Sequence, residues 1–413
     1  LGDTGQKQAI KKIQVEQLQV GMYVHDLNCG WMDHPFLTPQ FAIKSNADIA
    51  KIRALGLHEL YIDTERGVDV ANAIPHAVVQ EEIHQQLEAI AKEADKPTTQ
   101  VVREREFAHA RQLRSEASRI VKDMAHDIRL GQQVKMEQIE PLVENMIDSI
   151  FRSPDALLPL ARLKDHDNYT FQHSVSVCAL MIAFARGLKL DRAIIKEIAM
   201  GALLHDVGKA KVPDEILNKP AKLTEAEFAK MKSHVVQSII ILQNTPGITQ
   251  IMLDVAGQHH ERHDGSGYPN GLKGDEISLY GKMGAIVDVY DALTSERVYK
   301  KGMPPTEALG KLLEWSSYHF DPEMVRQYIK SIGIYPTGSL VKLKSGRLAI
   351  VLEQHPEKMM QPDVLVIYSS KGDHYLKPEH LDLAAPGCKD GILCHEDFSQ
   401  WHINPEKWLE PGL

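Results

Sequence analysis

Residues 1 to about 70 alternate between short apolar runs of two different periods. Ile13-Gln14-Val15 and Met22-Tyr23-Val24 predict short strands. Residues 47–57 predict a short helix with Ile49, Ile52 and Leu55 at helical spacing, and Leu60-Tyr61-Ile62-Asp63 a further strand before a turn at Arg66-Gly67. Residues 71–105 turn polar, with Gln80-Glu81-Glu82, Gln85-Gln86 and Lys92-Glu93-Ala94-Asp95-Lys96. They predict a connector, helical or partly disordered, broken at Pro97. It could carry a dimerising helix, although no sustained heptad is present. From Phe107 onward the period is helical, and a helical domain is expected over 106–333. Thr224 and Glu227 form a capping-box pattern, and Asp321-Pro322 reads as a cap followed by proline at the first helical position. After Tyr335-Pro336-Thr337-Gly338 the period changes. Leu340 to Leu343, Leu348 to Leu352 and Val364 to Tyr368 predict strands, with turns at Ser345-Gly346 and Lys371-Gly372-Asp373. The expected architecture is mostly α. A helical domain is flanked by a small α+β domain (1–70) and a small β appendage (336–386), with 387–413 as a C-terminal tail.

At 413 residues the chain has room for two or three domains. A formal net charge of -9 argues against a binder of polymeric nucleic acid or of an anionic membrane surface, though a local basic cluster could still hold a small phosphate ligand. No apolar run reaches the ~18 residues that span a bilayer. No signal peptide is visible, and Cys29, Cys178, Cys388 and Cys394 are too sparse for a disulfide framework. They read as reduced thiols, which points to a cytoplasmic protein.

Chemistry is concentrated between His173 and Asp288. Seven side chains of metal-binding type fall in five places there: His173, His205–Asp206, His234, His259–His260 and Asp288. Each continues an apolar helical face or ends one. A carboxylate on such a face is costly unless paired or metal-bound. A single histidine there would more often be a satisfied core residue, but that reading fails for the whole set. Five histidines and two carboxylates suit two borderline divalent ions better than magnesium or calcium, which prefer oxygen. A carboxylate such as Asp206 can bridge two ions, and a water between them becomes a nucleophile near neutral pH.

Tyr169-Thr170-Phe171-Gln172-His173-Ser174, Leu204-His205-Asp206-Val207-Gly208-Lys209, His259-His260-Glu261-Arg262-His263-Asp264-Gly265-Ser266-Gly267-Tyr268-Pro269 and Asp288-Val289-Tyr290-Asp291-Ala292-Leu293-Thr294-Ser295 resemble the HD-GYP family. Its members are bacterial phosphodiesterases of the HD metal-hydrolase superfamily that hydrolyse cyclic di-GMP. His-Asp alone is a weak signal, but His-His with Gly-Tyr-Pro at this spacing is specific. The flanking regions resemble those of a subgroup whose N-terminal domain has no assigned function. The resemblance implies that His173, His205, Asp206 and Asp288 hold one ion. His234, His259 and His260 would hold a second, with Asp206 bridging. Iron or manganese fits ligands and family, with zinc as an alternative. Lys209 would adjoin the bridging hydroxide and the scissile phosphate. Gly267, Tyr268 and Pro269 would form the loop at the mouth of the site. Arg297 and Lys300 would hold the substrate phosphates, or form a solvated helix end.

Three further residues keep two readings. Asp264 could orient the loop or protonate a leaving oxygen, but a turn residue is the preferred reading. Asp291 could orient a histidine ligand or sit on a helix surface. Tyr268 could stack on a guanine or pack the loop. Family members with three metals carry a glutamate four residues before the first histidine, where this chain has Tyr169. A two-metal site is therefore expected, with hydrolysis ending at pGpG or continuing to GMP. Two alternatives accompany this reading. One is hydrolysis of 3′,3′-cyclic GMP-AMP. The other is a non-catalytic sensor of the dinucleotide, or a module that binds a diguanylate cyclase domain through the Gly-Tyr-Pro surface; that reading predicts lost ligands, and the set is complete. A homodimer is a further candidate assembly, through the flanking regions.

Overall fold

The computed structural model describes residues 9–29, 36, 40–92, 103–162, 169–219, 221, 223–295, 302–404 and 406–409. The chain divides into two compact units, Leu1–Gln86 with Lys219–Ala229 and Leu87–Asn218 with Lys230–Leu413. Among the described residues no helix is long and apolar enough to cross a membrane.

The first unit is built on a sheet of β1 (Ile10–Gln14), β2 (Tyr23–Asp26), β3 (Phe41–Ala42), β4 (Glu59–Asp63) and β5 (Ile74–Pro75), in the order β3-β2-β4-β1-β5. β1 pairs antiparallel with β4, placing Ile13 opposite Leu60. The helix expected over 47–57 is α1 (Asn46–Arg53). Ser45 caps it, accepting from Asp48 N at 3.3 Å, while Asp48 returns a bond to Ser45 N at 2.9 Å. Ile49 and Ile52 pack into one core with Ile13, Met22, Val24, Ile43, Leu60 and Ile62. The connector carries α2 (His76–Ala91), which buries Val79, Ile83, Leu87 and Ile90 at helical spacing. Pro97 and its neighbours lie outside the described residues.

The second unit contains α3 (Arg103–Arg129), α4 (Met136–Arg152), α5 (Pro154–Arg162), α6 (Tyr169–Gly187), α7 (Arg192–Leu204) and the single turn α8 (Asp214–Leu217). Then come α9 (Glu225–Gln243), which begins in the first unit, α10 (Gln250–Gln258), α11 (Leu279–Thr294), α12 (Pro305–Trp315) and α13 (Pro322–Ile332). α6 is apolar on every side and buries an unbroken run from Val175 to Ala185, which makes it the helix others wrap. The sequence-derived caps form: Thr224 accepts from Glu227 N at 3.3 Å, and Asp321 accepts from Glu323 N and Met324 N.

The C-terminal strands form a second antiparallel sheet from β6 (Leu340–Leu343), β7 (Arg347–Glu353), β8 (Asp363–Ser369), β9 (His374–Asp382) and β10 (Ile392–Glu396), in the order β10-β6-β7-β8-β9. The segment read as a tail therefore contributes a strand, which pairs with β6. β9 tolerates Pro378 because, among the described residues, it is an edge strand of its sheet.

Candidate metal centre

Helices α6, α7, α10 and α11 touch in a closed cycle: α6 on α7, α7 on α10, α10 on α11, and α11 back on α6. His173 lies on α6, His205 caps the end of α7, His259 caps the end of α10, and Asp288 lies within α11. The cycle thus brings side chains far apart in sequence to one point. Two glycines permit the approach. A Cβ at Gly201 would lie 2.9 Å from Met252 Cα, so α7 and α10 cross at nearly bare backbone. α7 ends at Leu204, and Gly208 sits in a 3-10 turn, Val207–Lys211. A Cβ there would lie 2.0 Å from the carbonyl oxygen of His234, so glycine is required to seat the turn against α9. Ser238 ties the two together, donating to His205 O at 2.8 Å and accepting from Gly208 N at 2.9 Å.

Three histidines share one device. Nδ1 of His205, His234 and His259 bonds the carbonyl three residues earlier, at 2.7, 2.7 and 2.8 Å. A carbonyl only accepts, so each Nδ1 carries a proton and each Nε2 is the atom turned to the interior. His173 is held differently: its Nδ1 meets Asp291 Oδ2 at 2.6 Å, and Ser176 donates to the other oxygen of Asp291. Asp291 is 0% exposed. It is therefore a buried partner of His173 and not a helix-surface carboxylate.

The donor atoms fall into two groups, His173–His205–Asp206 and His234–His259–His260, each with its ligand atoms within 4.8 Å of one another. Asp206 lies between them. Its Oδ2 is 3.3 Å from His205 Nε2 and 3.6 Å from His173 Nε2, while its Oδ1 is 3.3 Å from His234 Nε2. Asp288 Oδ1 approaches His173 Nε2 at 3.0 Å and His205 Nε2 at 3.8 Å. The buried Nε2 atoms of His205, His234 and His259, with Asp206 Oδ1, make no hydrogen bond. Such atoms are costly in an interior, and a cation shared among them satisfies them together. The donor set fits divalent transition ions.

The two groups differ electrically. Burial works against a charge on His205, but Asp206 and Asp288 prevail and push it up to about 10. In the other group burial dominates: His234 is lowered to about 4, His259 to about 3, and His260 well below the usual range. One half is an anionic pocket that calls for positive charge, and the other is a set of neutral imidazoles. Lys209 Nζ donates to Asp206 Oδ2 at the edge of this arrangement.

The Gly-Tyr-Pro loop folds back on the centre. The Tyr268 ring stacks on the His260 imidazole at 4.6 Å and 19°, and Lys232 Nζ lies 5.3 Å from the Tyr268 centroid. Asp264 is a turn residue: its Oδ1 accepts from Ser266 N at 2.9 Å and Ser266 Oγ at 2.6 Å. Sequence reasoning passed over Glu261, which is fully buried and accepts from Asn270 N and Leu272 N. Its signal was its place, directly after two inward histidines at a helix end. Arg297 and Lys300 lie outside the described residues.

Residues 10–139 match a domain of unknown function (DUF3391), and residues 148–324 match the HD domain. The chain is 41% identical over 407 residues to the cyclic di-GMP phosphodiesterase PA4108 of Pseudomonas aeruginosa, covering 98% of this chain and 96% of that one. A cyclic di-GMP phosphodiesterase of Thermotoga maritima is 38% identical over 185 residues, 44% of this chain and 50% of that one. The 3′3′-cGAMP-specific phosphodiesterase 1 of Vibrio cholerae is 42% identical over 141 residues, 34% of this chain and 32% of that one. The HD domain and the donor set together make the centre a divalent-metal centre. With a relative of this similarity along nearly its whole length, and with the motifs assembled at one point, the chain belongs to the HD-GYP family, in the subgroup that carries an N-terminal domain of unknown function.

Proposed function

We infer that this chain is a metal-dependent phosphodiesterase that hydrolyses a bacterial cyclic dinucleotide, with cyclic di-GMP as its substrate. The observation that carries the reading is the position of Asp206, one oxygen toward each of two donor groups. Its full-length relative in Pseudomonas aeruginosa carries the same activity in its name. His173, His205, Asp206 and Asp288 would hold one ion. His234, His259 and His260 would hold the other, with Asp206 shared. Iron or manganese is the expected metal. When bound, such a pair supplies an acidified water and neutralises charge on a phosphodiester.

The chain's own groups do the rest. Asp291 keeps the His173 ring oriented. The Lys209 ammonium, already beside Asp206, stabilises the extra negative charge on phosphorus-bound oxygens in the transition state. Arg297 and Lys300 would pair with the two phosphodiesters. Tyr268, stacked on His260, would meet a purine of the substrate.

The Vibrio cholerae relatives named for 3′,3′-cyclic GMP-AMP favour that dinucleotide as a second reading. Steady-state hydrolysis of both substrates by manganese-loaded chain separates them. A higher kcat/KM for cyclic di-GMP supports the first reading, and the reverse order replaces it with the second.

A further inference from the structure

The loop after the double histidine is exposed along its rim, at Ser266, Asn270, Gly271 and Lys273, and anchored at its base. The anchor is Glu261, 0% exposed. A carboxylate this deep is costly unless its oxygens are bonded. Both are: Oε1 accepts from Asn270 N at 2.8 Å and Oε2 from Leu272 N at 3.0 Å. Charge-assisted bonds to backbone N–H groups are among the stronger ones available. They draw the far arm of the loop back under the helix end that carries His260. The near arm is drawn in as well, since Tyr268 N donates to His260 O at 3.1 Å. A Cβ at Gly267 would lie 2.3 Å from Arg262 N and 2.5 Å from Glu261 Cα, so this closure also requires glycine. Held on both arms, the loop presses the Tyr268 ring flat against the His260 imidazole.

We propose that Glu261 is a positioning residue that locks this loop onto His260, so that loop docking and the affinity of the His234–His259–His260 group for its ion rise and fall together. The inference rests on the reading above that this group holds the second ion. The Tyr268 ring is then a wall of the metal centre as well as a surface toward substrate.

The test pairs amide hydrogen exchange at Asn270 and Leu272 with manganese titration of the full chain. The second ion is identified as the binding step lost in His260→Ala. In Glu261→Ala both amides are expected to exchange at least about tenfold faster. The second ion is expected to weaken by about 10- to 100-fold while the first is unchanged. Excess manganese should restore kcat, a rescue that general loss of structure would not give. Glu261→Gln keeps one accepting oxygen, so it should fall between wild type and Glu261→Ala, and it carries the test if the alanine variant does not fold. Unchanged amide exchange, or faster exchange with unaltered ion binding, overturns the inference. A wild-type chain that takes up a single ion overturns the two-ion reading instead, and the amide exchange then decides the anchor by itself.

Discussion

His173 meets Asp291 through Nδ1 at 2.6 Å, and Asp291 lies one helical turn beyond Asp288, which faces Nε2 of the same ring at 3.0 Å. One helix, α11, thus grips both nitrogens of a histidine carried by another. The outer carboxylate sets the ring's orientation and makes its inner nitrogen a better donor. Replacing Asp291 by Asn keeps the shape and removes the charge. Metal affinity of the His173–His205–Asp206 group should fall by about 10- to 100-fold. Calorimetric titration of the apoprotein reads this directly, and affinity equal to wild type would reduce Asp291 to a packing role.

Metal uptake should expel a proton. Burial disfavours charge on His205, yet Asp206 and Asp288 push it up to about 10, so it is an imidazolium at pH 8 in the metal-free protein. A ligating imidazole must be neutral. His234 and His259, lowered by burial to about 4 and about 3, enter already neutral. Titrations at pH 8 in buffers of different ionisation enthalpy should report about one proton more released by the wild-type chain than by His205→Ala. Apparent affinity should climb with pH and level off near the raised value. For the metal-free fold the same shift is stabilising. That contribution is complete below the ordinary histidine value and fades as pH rises through about 10.

Gly208→Ala forces a methyl group to within 2.0 Å of His234 O and 2.5 Å of Ser238 N. Backbone cannot yield as a flexible side chain can. The expected cost is about 1–3 kcal/mol in urea unfolding. It should come with weakened ion binding, because the turn bearing Asp206 and the helix bearing His234 are pushed apart. Wild-type stability in this variant would contradict the close seating of the turn on α9.

Lys209→Ala should separate chemistry from assembly. The ammonium sits beside Asp206 and outside both donor groups, so ion content should match wild type. Its loss removes a preorganised charge from the transition state, and kcat should drop by about 10²- to 10³-fold with little change in KM. A change in KM alone would assign Lys209 to ground-state binding.

The donor residues were legible in the sequence because each one breaks a pattern. His173, His205, His234, His259 and Asp288 each put a polar group on an otherwise apolar face, and the apolar period shows which way that face points. Asp291 was not decided that way: three residues from Asp288 it shares a face, but only the neighbouring α6 with Ser176 shows that this face is covered. Glu261 escaped because it follows the last helical residue, where no period tells inside from outside. β10 escaped for a related reason. Ile392-Leu393-Cys394-His395-Glu396 has no clean alternation, and the strand exists because β6 offers it an edge. Patterns report a residue's own element, while pairing and covering belong to elements far along the chain.

The central claim is that this chain hydrolyses a cyclic dinucleotide at the centre shared by Asp206. The most direct measurement is product formation by chromatography, after anaerobic reconstitution with iron(II) or manganese and confirmation of bound metal. Cyclic di-GMP offered to the wild-type chain should give pGpG or GMP, and His205→Ala should give neither. Verified metal occupancy with intact cyclic dinucleotide, or equal turnover in His205→Ala, would contradict the account.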